Sequence, residues 1–223
     1  MVAVARYIVP RETNQVRNAF RAIIRVCRSK EIASVTLVVP KKASWDGTEV
    51  AKSLEAVVVK ALLKGQRVGI ADGVSMVLES AQNFHTYSNS GLLVGAHISV
   101  KEMNKLDDSP MAKAVMYLPW TGEDEKEWRA TWNPEVIGSD TQNSLQNNLP
   151  AEVQKALGQL TTQINLGTGL GHPSDKRHAQ RVIAALRADG HSFDPAEVRR
   201  WAQRNGWSSD AAADLERIAA KGK

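Results

Sequence analysis

Up to about residue 138 the chain alternates between two hydrophobic rhythms. Short apolar, largely β-branched runs fall at residues 5–9 (ARYIV), 34–39 (SVTLVV), 66–71 (QRVGIA), 92–98 (LLVGAHI) and 114–118 (AVMYL). Such runs have the length and composition of strands. Between them, apolar residues recur at three- and four-residue steps, the mark of a helix with one buried face. Residues 12–30 show this most clearly, through Val16, Ala19, Phe20, Ile23, Ile24 and Cys27. A second helix is expected from a cap at Asp46 or Thr48 to Lys64, stopped by Gly65, and apolar enough on most faces to be well buried. Val74, Val77, Leu78, Ala81 and Phe84 fit a third helical face, with a strand as the alternative for so short a run. Short helices are expected over residues 100–106 and 123–131, and a terminal strand over 135–137.

Strand–helix alternation of this kind implies parallel strands joined by right-handed crossovers. The fold expected is therefore α/β: a Rossmann-like, doubly wound, mostly parallel sheet of five or six strands over residues 1–138. Residues 139–150 (SDTQNSLQNNLP) read as a polar linker. After that no convincing strand follows, and residues 151–223 read as a helical C-terminal region. It opens with a helix from Pro150 to about Asn165. A glycine-rich hinge at 167–171 comes next, then a small three-helix bundle over residues 174–221. The bundle's caps are expected at Ser174, Asp194 and either Ser208 or Ser209. Phe193, Val198, Trp201 and Trp207 are placed between its helices.

Composition narrows this picture modestly. With 43% apolar residues in 223, the chain has enough material for a core without disulfides, and its one cysteine, Cys27, reads as a buried, inert thiol. No apolar stretch approaches the ~20 residues of a membrane span. The N-terminus does not read as a secretion signal, so no membrane role and a cytoplasmic location are expected. The formal charge is +5. Its placement is more informative than its size, because residues 1–42 carry Glu12 and Glu31 as their sole acids against a dense set of cations.

Arg17, Arg21, Arg25 and Arg28 lie within roughly 80° of one another on a helical wheel, with no acid between them. Guanidinium groups so arranged suit phosphates, which makes nucleic acid the favoured partner. Two other readings compete: a solvated outer helix face, and a salt-bridged interface with another subunit. A second candidate site is the carboxyl edge of the sheet, where open α/β folds hold ligands. Arg11, Lys41 and Lys42 are placed there as anion-binding groups, for a nucleotide or another small phosphate-bearing ligand. Asp72, Ser75, His97, Ser99, Trp120 and Thr121 are placed there too. Asp72 and His97 are the candidate acid, base or ribose-binding residues.

Several chemistries lack their motifs. The loop after the first strand (Pro10-Arg11-Glu12-Thr13) has no glycine fingerprint for a dinucleotide. No Walker loop and no nucleophile elbow occur, and no His/Cys spacing suits a metal. The sequence names no cofactor. Three short helices in the tail resemble a helix-turn-helix in outline. Their last helix carries Asp210, Asp214 and Glu216, and the more basic middle one carries Arg199, Arg200 and Arg204. Packing or assembly, including a homo-oligomer or a docked partner, is the preferred role for the tail. Trp120, Trp128 and Trp132 are expected to seal the sheet edge against it.

Overall fold

The computed structural model describes residues 4–87, 90–138 and 148–221. The chain divides into two units, Met1–Asn143 and Ser144–Lys223. In the first, seven strands form one sheet: β1 (Ala5–Ile8), β2 (Ser34–Val39), β3 (Val68–Ala71), β4 (Val74–Ser80), β5 (Gly91–Ala96), β6 (Ala112–Leu118) and β7 (Glu135–Val136). Their order is β3-β4-β2-β5-β6-β1-β7, all parallel except β3, which is antiparallel to β4. This is the doubly wound α/β fold that the strand–helix alternation implies.

A two-residue rhythm assigns side chains to the faces of the sheet. Tyr7, Val9, Val35, Leu37, Val39, Leu92, Val94, Ala96, Ala114, Met116 and Leu118 point to one face. There they meet α1 (Gln15–Ser29), α2 (Glu49–Lys52) and α3 (Ala56–Leu63) through Ala19, Ala22, Ile23, Val26, Val50, Val59 and Leu62. Ile8, Val38, Leu93, Val115 and Tyr117 point to the other face, under α4 (Val100–Asp107) and α5 (Gly122–Trp132), where Met103, Leu106 and Trp128 close the core. Burial on both faces explains why the central strands are apolar at nearly every position, Thr36 of β2 being a buried exception. Gly91 opens β5 at φ +89°, and a Cβ there would stand 2.4 Å from the Ser34 carbonyl oxygen, so the residue admits no side chain.

Two sequence expectations are corrected. Residues 74–80 form a strand, not a helix. Val74, Met76, Leu78 and Ser80 are buried in strict alternation, and the Asp72-Gly73 turn joins β3 and β4 as a hairpin. This adds the seventh strand. The helix expected from Asp46 or Thr48 to Lys64 is broken at residues 53–55 into the single turn α2 and then α3, and a 3₁₀ turn at Lys42–Gly47 precedes it. Thr48 caps α2 by accepting from the Ala51 N–H at 3.3 Å, and Val57 of α3 is 68% exposed, so this stretch is less buried than its composition suggests.

The second unit is described by itself. Its helices α6 (Ala151–Gln163), α7 (Pro173–Ala188), α8 (Pro195–Arg204) and α9 (Ser209–Ala220) share one core. Val153, Leu157 and Leu160 of α6 belong to it together with Ile183, Val198, Trp201, Trp207 and Leu215. The glycine-rich stretch at 167–171 is a packed turn rather than a hinge. Leu170 is buried in that core, and a Cβ on Gly169 would come 2.6 Å from that of Ala211. The caps are His172, Asp194 and Ser208. His172, not Ser174, opens α7, because Pro173 takes the first helical position.

At the amino edge of the first unit's sheet, Arg6 on β1 grips Asp107 at the end of α4 with two hydrogen bonds, 2.8 and 2.9 Å. Its guanidinium also lies 3.8 Å over the Trp132 ring of α5. One side chain thus ties a strand to both helices of that face. Burial pushes the Asp107 carboxyl above its ordinary range, and the Arg6 hydrogen bonds pull it back. Replacing Arg6 by Met leaves that carboxyl buried and unpartnered, so unfolding free energy should fall by about 3–5 kcal/mol. The measurement is the urea midpoint. Replacing Asp107 by Leu in the same chain should restore most of the loss. A single replacement no costlier than an ordinary surface change of about 0.5 kcal/mol would show that the pair ties nothing together.

Candidate functional site

The connections leave the carboxyl ends of adjacent strands toward opposite faces at two central places. β1 leads to α1 on one face while its neighbour β6 leads to α5 on the other. β2 leads to α2 and α3 while its neighbour β5 leads to α4. Crevices open where neighbouring connections diverge in this way. A cavity of about 540 Å³ lies at the second place, lined by Val39, Pro40, Lys41, Ser44, Trp45, Thr48, Glu49, Val50, Ala96, His97 and Trp120. Another of about 510 Å³ lies at the first, lined by Arg11, Glu12, Asn14, Gln15, Arg17, Lys52, Ser53 and Pro119. Both are also bordered by Glu49, His97 and Trp120, so they are two lobes of one cleft. The first-named lobe is mainly apolar. The other is the more polar of the two, lined by charged groups, and borders the start of α1, whose first turn holds no acid and whose N-cap, Asn14, makes no side-chain capping bond.

His97 stands where the lobes meet. Its backbone is left-handed, φ +58°, which costs a residue with a side chain of order 1–3 kcal/mol. Neighbours hold it there. Its N–H donates to the Leu118 carbonyl at 2.9 Å, and the next carbonyl, of Ile98, accepts the buried Tyr117 hydroxyl at 2.7 Å. Ser99 then starts α4 with a reciprocal capping box to Glu102. The imidazole ring sits edge-on to Trp120, centroids 4.9 Å apart.

Gln15, the first residue of α1, sets the protonation of that ring. Its Nε2 donates to the carbonyls of Val9 at 3.0 Å and Pro119 at 3.2 Å. These acceptors orient the amide, so its Oε1 faces His97 Nε2 at 3.3 Å and must accept. The neutral ring then carries its proton on Nε2 and offers Nδ1 as an acceptor, which has no partner among the described residues. Burial lowers the pKa of His97, so the neutral form prevails at pH 7.

The sequence-derived site residues separate. His97, Trp120, Lys41 and Arg11 come together around the cleft. Lys42 does not line it and pairs with Glu79 at 3.7 Å. Asp72 and Ser75 are corrected. Because β3 runs antiparallel, the turn after it lies at the amino end of β4, at the opposite edge of the sheet from His97. Ser99 and Thr121 serve as the caps of α4 and α5. Arg17, Arg21, Arg25 and Arg28 are all exposed on α1 and free of ion pairs among the described residues, and Arg17 also lines the polar lobe. Cys27 is buried on the opposite side of α1, which pushes its thiol up to about 11 and leaves it protonated.

Trp128 is buried beneath Tyr117, rings 5.4 Å apart, whereas Trp120 is 62% exposed at the mouth of the cleft. Gln15, Trp45 and Arg17 are site residues that the sequence reading did not place in a pocket. Gln15 had a discoverable signal, a polar residue at the buried angle of an otherwise apolar helix face. Among the described residues, no group of three or more His, Cys, Asp or Glu is placed to hold a metal, and no helix is long and apolar enough to cross a membrane.

In the second unit two of the three arginines of α8 are paired. Arg199 pairs with Glu216 at 3.4 Å and Arg200 with Glu197 at 2.6 Å. Guanidiniums so engaged are poorly disposed to read a DNA groove.

Residues 149–223 match the family model described as Domain of unknown function (DUF1889). That match falls on the helical unit and does not reach the cleft. No curated protein and no solved structure matches the chain.

The Gln15–His97 contact makes a prediction for nuclear magnetic resonance. At pH 7 the ¹⁵N shifts of His97 should be those of the neutral Nε2–H tautomer, titrating below the ordinary value of about 6.5. A histidine with a depressed folded pKa stabilises the fold above 6.5, and that contribution is lost as pH falls from there through the folded value. Gln15→Glu places a carboxylate beside Nε2 and should move the titration upward. A parent titration at or above 6.5, or no change in the variant, would refute the assignment.

Proposed function

We propose that the first unit binds a small ligand with a flat ring and an anionic group, of the nucleotide class, in the cleft at the carboxyl edge of its sheet. The observation that carries this reading is the junction at His97: a half-buried imidazole on a left-handed backbone, held by Gln15 and set beside an exposed tryptophan, where two lobes of different chemistry meet. Each lobe has the volume of an ordinary small-molecule site. In the apolar lobe, Val39, Pro40, Trp45, Val50 and Ala96 suit a ring, with Trp120 free to stack on it. Nδ1 of His97 accepts a ligand N–H or O–H. In the polar lobe, Arg11 and Arg17 face the anion, with Lys41 across the cleft. The start of α1 supports an anion there, since its first N–H groups carry the positive end of the helix dipole. Lys41, Arg11, Arg17 and Lys52 stand against Glu12 and Glu49 in the lining, which leaves the cleft basic.

The test is thermal unfolding against nucleoside mono- and diphosphates, the parent nucleosides and inorganic phosphate. A ligand at a hundred times its dissociation constant adds about 2.7 kcal/mol, a rise of several degrees. Phosphorylated nucleosides should give a saturable rise that their nucleosides do not match. Trp120→Ala should weaken binding about tenfold through lost stacking, and Lys41→Ala should weaken the charged ligands more than the neutral ones. A flat response across the panel would overturn the reading.

A further inference from the structure

α1 connects the cleft to a surface that a free nucleotide would not use. The residues of α1 that meet the sheet, among them Ala19, Ala22, Ile23, Val26 and Cys27, lie on one side. Arg17, Arg21, Arg25 and Arg28 lie on the other, exposed and without ion pairs among the described residues. No acidic residue occurs on the helix at all. Arg17 belongs to both places, as a wall of the polar lobe and as the first member of the stripe. The stripe therefore begins inside the cleft and runs outward along α1.

Its spacing has a consequence. Successive arginines four residues apart are separated by about 6 Å along the helix axis, the order of the phosphate-to-phosphate separation along a single strand. From Arg17 to Arg28 the stripe is about 16 Å long, room for about three phosphates beyond one seated at Arg17. At about 540 Å³, the lobe lined by Trp45, Val50 and Ala96 has the volume of one small-molecule ligand rather than of a duplex end.

We propose that the physiological ligand is the end of a single-stranded nucleic acid. Its terminal nucleotide occupies the cleft beside Trp120 and His97, and its following phosphates lie along Arg17, Arg21, Arg25 and Arg28. This rests on the nucleotide reading of the cleft and extends it from a free nucleotide to a strand end. Recognition along the stripe is independent of sequence, because its contacts go to phosphates. Discrimination is confined to the one base that enters the lobe.

The experiment is fluorescence-polarisation binding of labelled four- to six-nucleotide single strands, DNA and RNA, across a salt series, with competition by the corresponding mononucleotide. The single strand should bind at least tenfold more tightly than the mononucleotide. The variant R21Q/R25Q/R28Q changes three exposed side chains outside the cleft. It should keep mononucleotide affinity, lose the oligonucleotide advantage, and make the logarithmic salt slope shallower by about two, at about 0.7 per phosphate contact for single strands. Restoring the charge with R21K/R25K/R28K should recover most of the affinity.

Mononucleotide binding with no oligonucleotide advantage, or an advantage that survives the glutamine variant, would overturn this inference and leave the cleft reading standing. Absence of mononucleotide binding would overturn the cleft reading, and with it this extension. A blunt duplex, or polyglutamate at the same salt, binding as tightly as the single strand would overturn the strand-end assignment.

Discussion

A parallel strand cannot turn back on its neighbour, so each must hand the chain to a crossover that covers one face of the sheet. Most of the first unit follows from that constraint. It demands side chains that are apolar on both faces, which β2, β5 and β6 supply. It also gathers the loops leaving the parallel strands at one edge. The order of strands then decides where those loops part. The chain leaves β1 and crosses behind β6 and β5 to reach β2, while β6 sends its own connection past β1 to β7 on the other face. The partings between β1 and β6 and between β2 and β5 are the two lobes of the cleft, and the ends of β5 and β6 lie between them. His97 and Trp120 sit at the junction because they follow those two strands.

Holding a side chain at such a junction is costly, and the surroundings show how the cost is met. The left-handed backbone of His97 is fixed from the sheet side by the Leu118 carbonyl, from beneath by the Tyr117 hydroxyl on Ile98, and from beyond by the Ser99–Glu102 capping box. Asp124 of α5 accepts from the Val100 N–H at 3.0 Å and so joins the starts of α4 and α5. On the other side Gln15 spends both amide hydrogens on carbonyls of two different strand ends, which fixes the ring's tautomer. A histidine that served only to fill space would need none of this. Far from the cleft, the Arg6–Asp107 pair ties β1 to α4 and α5 at the amino edge, so the scaffold is secured at the end where nothing needs to open.

Much of this was legible in the sequence, and the failures have physical causes. Period-two apolar runs and three–four spacing gave the strands and α1 directly, because burial leaves little freedom at those positions. Residues 74–80 misled because Val74, Val77 and Leu78 fit a helical face, whereas Val74, Met76, Leu78 and Ser80 fit a strand face. Seven residues do not separate the two periods. The Asp72-Gly73 turn favoured the hairpin, and missing it put Asp72 at the wrong edge of the sheet. The long helix up to Lys64 misled for another reason: its composition is helix-forming throughout, but the helix stops at Ser53 and restarts after Glu55, while a 3₁₀ turn before Thr48 bends the chain over the carboxyl edge. That bend builds the wall of the apolar lobe with Trp45. Side chains reaching across the fold, such as Gln15 to His97, depend on strand order, which no local pattern encodes.

The disposition of arginine separates α1 from α8 and α9 more sharply than its number does. On α8, Arg199 and Arg200 are neutralised by Glu216 and Glu197, and on α9 Arg217 is paired with Asp214. The first of these pairs ties α8 to α9, and the other two are i,i+3 pairs within one helix. On α1 no such acids are supplied, although each arginine is exposed and each could be paired by one carboxylate a turn away. A helix that needed only a solvated face would gain from mixed charge, which relieves repulsion among its own cations. Four unpaired guanidiniums on one face repel one another and cost the free protein stability, a cost that an anionic partner lying along the helix removes. The family match covers the unit where Arg199, Arg200 and Arg217 are paired, while the acid-free arginine stripe of α1 lies beside the cleft. The stripe is therefore the arginine cluster that fits the proposed ligand, since it is continuous with the cleft through Arg17.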